Sequence, residues 1–121
     1  MAAIKNVLIV EGLFDSTTLI ESRDWQTLAE GVFVSEIYDM ENAGPRSAFL
    51  RYLPGASVPN HLHTGLEHIL ILQGSQTDGT RIYRAGTLVI HPPGTEHHLV
   101  SQEGCLALGV WEKPVAFTGN T

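Results

Sequence analysis

Apolar and polar positions alternate over short distances in this chain, and clusters of turn-forming residues break the pattern before any long helix could be completed. Residues 32–38, 48–53, 67–72, 86–90, 97–101 and 106–111 are runs of strand-forming side chains. Between them lie Asn42-Ala43-Gly44-Pro45, Pro54-Gly55, Asp78-Gly79, Pro92-Pro93-Gly94 and Glu103-Gly104. Short strands at this spacing predict an all-β sandwich or barrel. Only residues 24–30 (DWQTLAE) have helical character, and their length suits a turn equally well. The run at residues 7–10 (VLIV) is a candidate extra strand, paired within the chain or with a partner. In residues 67–72 (EHILIL), Ile69 and Ile71 share the parity of Glu67, yet Leu70 and Leu72 on the opposite parity are also apolar. Both faces of that strand therefore need cover, and a second copy of the chain, giving a homodimer, is one expected source.

Composition narrows the possibilities. With 121 residues, 43% of them hydrophobic and 17% charged, the chain is expected to form one domain with a proper core. The barrel would occupy about residues 31–113, with residues 1–24 as an N-terminal extension or extra strand. A formal charge of −6 and the lack of any basic run argue against a nucleic-acid partner. Apolar runs such as 7–10 and 69–72 fall far short of the roughly 20 residues of a membrane helix. Glu11 and Gly12 also end the first of them too early for a signal peptide, so a cytoplasmic location is expected. Cys105 is the one cysteine, which excludes an internal disulfide and a zinc site of paired thiolates within one chain. A bound metal must use histidine and carboxylate.

Histidines supply that chemistry. His61, His63, His68 and His91 precede the adjacent pair His97-His98, all within a region of strands and turns. On a strand, His61 and His63 point to one face with Cα atoms about 6.6 Å apart, at roughly 3.3 Å per residue. A turn through Thr64-Gly65-Leu66 would bring the Glu67 carboxylate beside them, the beginning of an N/O site for a divalent ion. The same parity turns His68 and His98 away. Trp25, Tyr38, Phe49, Tyr52 and Trp111 are expected to fill the core, with lining of a substrate pocket as the alternative, and Cys105 to be a buried small apolar residue.

The spacings Gly55-x5-His61-x-His63-x3-Glu67-x6-Gly74 and Gly86-x5-Pro92-x-Gly94-x2-His97 resemble the two signature motifs of the cupin superfamily. The second motif usually ends in Asn, where this chain has Ser101. From Ser47 to Cys105 the sequence resembles the cupin subfamily typified by the C-terminal lobe of the ChrR anti-sigma factor. Members of that subfamily commonly have two acidic residues where this chain has Glu67-His68. The helical, sigma-factor-binding domain of ChrR has no counterpart here, so a sigma-factor role is not implied.

The resemblance implies a double-stranded β-helix, the cupin jelly roll. It also implies metal ligation by His61, His63, Glu67 and His97. Apart from the resemblance, His91 sits just before the Pro92-Pro93 turn and is expected as a supporting residue just outside the ligand set or as a fifth ligand. Such a site would hold one divalent ion (Fe, Zn, Ni, Mn or Co) and bind a small organic ligand or substrate. Dioxygenase-like chemistry is the first functional expectation. A non-catalytic sensing or ligand-binding module with a structural zinc is the second. The motif glycines serve turns and close packing.

Overall fold

A computed structural model describes residues 4–118 of the chain. It contains one short helix, α1 (Ser16–Ser22), followed by ten strands. These are β1 (Gln26–Ala29), β2 (Val32–Asp39), β3 (Arg46–Tyr52), β4 (Ala56–Leu62), β5 (Glu67–Thr77), β6 (Ile82–Arg84), β7 (Leu88–His91), β8 (Glu96–Ser101), β9 (Cys105–Trp111) and β10 (Ala116–Phe117). Every pairing is antiparallel, in the order β1-β2-β3-β9-β5-β8-β4-β10, with β6 and β7 also paired to β5. β5 joins the two faces of the sandwich: residues 67–74 pair with β9, and residues 75–77 pair with β6. This is the jelly roll that the motifs imply.

β5 changes sheets after Gly74, just past a register irregularity between Ile71 and Gln73. Gly74 has φ +74°, and a Cβ there would fall 2.0 Å from the Gly104 carbonyl oxygen. The closing glycine of the first motif is thus required by a close approach of two backbones.

The barrel interior is filled from alternating positions. Val32, Val34, Ala48, Leu50, Tyr52, Val58 and Cys105 form one buried cluster, and Ile69, Ile71 and Ala107 another. The outer face has its own apolar layer, in which Leu19, Phe49 and Leu106 are buried against Val10, Leu13, Trp25 and Leu72. Helix α1 and the segment before it therefore cover the back of the sheet, including Leu72. The helix is only seven residues long; Asp15 caps it, accepting from the Thr18 backbone N–H at 3.1 Å, and buried Leu19 anchors it.

Two sequence expectations are corrected here. Residues 24–30 contain strand β1, not a helical turn, because Gln26–Ala29 forms a hairpin with the buried β2 through an irregular register. Residues 7–10 form no strand; Val10 packs on the outer face instead. The chain's one described helix, at Ser16–Ser22, lies where no element was expected, as do β6 and β10. No helix among the described residues is long and apolar enough to cross a membrane.

Candidate metal centre

Strand register assembles the site. His61 on β4 lies opposite His97 on β8, and Glu67 at the start of β5 lies opposite both His91 on β7 and Trp111 on β9. His63 stands one residue past the end of β4, held where its backbone N–H donates to the Thr95 carbonyl at 2.9 Å. His61, His63 and Glu67 are almost fully buried, and His91 and His97 partly so.

Each of the first two imidazoles is oriented from behind. Nδ1 of His61 is 3.0 Å from the Pro59 carbonyl, and Nδ1 of His63 is 3.0 Å from the Thr95 carbonyl and 2.9 Å from its hydroxyl. A ring nitrogen tied to a backbone carbonyl carries the proton, which leaves Nε2 free to face the centre as a lone-pair donor.

At the centre, Glu67 Oε1 is 3.1 Å from His63 Nε2 and 2.9 Å from His91 Nδ1. These contacts have hydrogen-bond length but lack its geometry: the three buried atoms have no hydrogen-bond partner. Unpaired buried polar atoms are costly, and a cation between them would satisfy all three. Donor atoms of His63, Glu67, His91 and His97 all lie within 4.8 Å of one another. His61 joins through its Nε2, 3.1 Å from Nε2 of His97. The mutually close group thus holds three of the four motif residues together with His91, and His61 lies beside it through His97. Three neutral imidazoles or more with one carboxylate suit a first-row divalent ion.

Electrostatics favour the ligand forms. Burial lowers the pKa of His97 to about 4, with His91 and His61 adding to the effect. Burial also lowers that of His61. Burial alone would raise the Glu67 carboxyl, but the adjacent His63 and His91 rings and the hydrogen bond from Trp111 outweigh it and hold the group well below the usual carboxylate range. Neutral imidazoles beside an ionised carboxylate are the protonation states that a cation needs.

Trp111 was expected to be a core residue, and the structure gives it a more specific position. Its indole Nε1 donates to Glu67 Oε2 at 2.7 Å, leaving Oε1 to the histidines. The ring can lie there because residue 109 is glycine: a Cβ at that position would fall 2.3 Å from the ring. Nothing local in the sequence announces this contact, which follows from β9 running beside β5. His68 is half-buried in register with Ile90 and Val110, and His98 is exposed; neither joins the cluster.

A cavity of about 160 Å³ runs inward from His61 and Glu67. Val34, Leu50, Val58, Ile69 and Leu99 make most of its wall, and Arg46 and Phe117 stand at the metal-cluster end. Arg46 is paired with Glu36 and lies over the Trp111 ring at 5.4 Å.

Comparison with known proteins agrees with this architecture. The acetylacetone dioxygenase of Acinetobacter johnsonii superposes with a TM-score of 0.75 over 98% of this chain and 80% of that one, at 15% identity, which shows a shared fold. The Rhodobacter sphaeroides complex of SigE with the anti-sigma factor ChrR gives 0.67 at 26% identity, over 89% of this chain and 70% of that one. The anti-sigma-E factor ChrR of Cereibacter sphaeroides is 35% identical over 81% of this chain, which spans only 46% of that protein's length. The family model described as the ChrR cupin-like domain matches residues 15–115, and the chain belongs to that family.

Proposed function

We propose that this protein is a metal-binding cupin in which His61, His63, Glu67 and His97 hold one divalent ion and the adjoining cavity takes a small organic substrate. The supporting observation is the convergence of buried, hydrogen-bond-free donor atoms at Glu67. Dioxygenase-like chemistry is the favoured activity. Fe(II) in such a site would supply redox chemistry toward O₂, and Zn(II) or Ni(II) Lewis acidity. The chain's own residues do the rest. Pro59 and Thr95 fix the two imidazole rings, Trp111 holds the outer carboxylate oxygen, and the apolar wall excludes water from the bound substrate. Metal analysis of protein purified without chelators or an affinity tag is expected to find one ion per chain; a metal-free, fully folded protein that takes up none would refute the reading.

A second reading is favoured by the position of His91. Its Nδ1 lies 2.9 Å from Glu67 Oε1 and belongs to the mutually close donors, so it can serve as a fifth protein ligand. That arrangement suits a structural zinc in a non-catalytic sensing module. It predicts that His91→Ala lowers metal affinity as strongly as His63→Ala, whereas a supporting His91 predicts a clearly smaller loss. We also propose a homodimer through the outer face of β7, where Leu88 and Ile90 are about half exposed beside Leu70 and His68. Sedimentation at micromolar concentration is expected to show twice the monomer mass.

A further inference from the structure

The end of the cavity farthest from the histidines is built differently from its wall. Tyr52 and Gln76 both line it, and both are only 3% exposed. Cys105 brings them together: it is the register partner of Tyr52, and its Sγ is 3.6 Å from the Gln76 amide nitrogen. That weak contact to sulfur is the only side-chain hydrogen bond Gln76 makes among the described residues, and the Tyr52 hydroxyl makes none. Buried amide and hydroxyl groups normally find partners, and leaving them without costs stability. Here a donor hydroxyl and an amide with free donor and acceptor capacity line the cavity, where a ligand can reach them.

Charge is arranged along the same axis. The charged lining residues Arg46 and Glu67, with His61, belong to the end where β3, β9 and β5 align Arg46, Trp111 and Glu67 in register. The polar lining residues at the floor are Tyr52 and Gln76, and burial pushes the phenol further toward its neutral form. An anionic group at the floor would be desolvated with no cation to meet it. A purely apolar group would leave the hydroxyl and amide unpaired.

We propose that Tyr52 and Gln76 form a second anchor, selecting ligands of single-ring size whose inner end is uncharged and carries a carbonyl or amide. The cavity volume sets the size, since about 150 Å³ of apolar space accommodates one benzene ring. The ligand carbonyl accepts from the Tyr52 hydroxyl, and the Gln76 amide takes the remaining donor or acceptor. The opposite end of the ligand, with its oxygen, faces the histidines; that half rests on the metal-binding reading, and the floor anchor does not.

The test uses calorimetric titration of the full chain, zinc-loaded and metal-free, with three probes: 4-hydroxybenzamide, 4-methylphenol and 4-hydroxybenzoate. The amide is expected to bind at least about tenfold more tightly than the other two, the size of one or two hydrogen bonds in a buried site. Tyr52→Phe, which keeps the ring, is expected to bring the amide to the affinity of 4-methylphenol without changing zinc content. Gln76→Leu is a second variant with the same expectation, and near-ultraviolet circular dichroism checks that each is folded. Equal affinities for the three probes, no binding of the amide, or a preference that survives Tyr52→Phe would overturn the anchor. A preference that is the same with and without zinc would support the anchor while counting against a ligand that reaches the metal, so the two readings fail separately.

Discussion

Strand parity makes the adjacent pair His97-His98 an internally controlled experiment. His97 projects inward with buried Leu99, and His98 is exposed. His97→Ala removes a donor whose Nε2 lies 3.1 Å from that of His61, so metal content is expected to fall at least tenfold, while His98→Ala leaves it at the parent level. Elemental analysis of the two purified variants checks this, and the reverse result would place the register off by one residue. Trp111 acts through Glu67. Trp111→Phe removes one charge-assisted hydrogen bond, and a loss of about 10- to 100-fold in metal affinity is expected from a partner of this kind. Competition with a chromophoric chelator measures it. These residues also mark the limit of what a sequence can disclose. The spacing of His61, His63, Glu67 and His97 is readable because two motifs and strand parity carry it. His91 is readable as a supporting or fifth ligand from its place before the Pro92-Pro93 turn; the contact of Trp111 with Glu67 is not, because it depends on the pairing of β9 with β5, and no local pattern encodes a register between distant strands.

At the level of elements, the two glycines of the first motif, Gly55 and Gly74, separate conformational preference from packing. Both have positive φ, +84° and +74°, so alanine at either position costs about 1–2 kcal/mol from the left-handed conformation. A Cβ at Gly55 meets nothing within 4 Å, whereas one at Gly74 meets the Gly104 carbonyl at 2.0 Å. Gly74→Ala is therefore expected to destabilise by more than about 3 kcal/mol, and Gly55→Ala by less than about 2, in urea melts. The most legible elements were the strands whose apolar runs lie between turn clusters. Residues 24–30 misled because DWQTLAE has the composition of a helix, yet tertiary pairing with β2 decides its state. Helix α1 escaped because seven residues carry too little periodicity to register, and its stability comes from Leu19 packed on the sheet. The same packing answers the two-sided hydrophobicity of β5 at Leu72, where the cover is the chain's own N-terminal region.

For the whole molecule, acid and chelation act on one cluster in one direction. The folded protein resists protonating His97, whose pKa falls from its ordinary 6.5 to about 4 on burial, so the unfolded chain binds more protons across that window. Stability therefore rises with pH between about 4 and 6.5 and is lost as pH falls through it. Glu67 has the same sign lower down: its carboxyl is held below the ordinary 4.5, so its contribution is present above that pH and disappears beneath it. A bound ion adds to both, because it requires the deprotonated forms and binds the folded site alone. At a thousandfold excess over Kd it would stabilise by about 4 kcal/mol, and the melting temperature would rise on the order of 10 °C. Melts of loaded and demetallated protein at pH 7.5 and at pH 5 are expected to show a large gap at the higher pH that narrows at the lower one, with the demetallated protein itself less stable in acid. A melting temperature unmoved by verified demetallation at pH 7.5 would mean that the buried donors at Glu67 are balanced without an ion, and the metal reading would fall with that result.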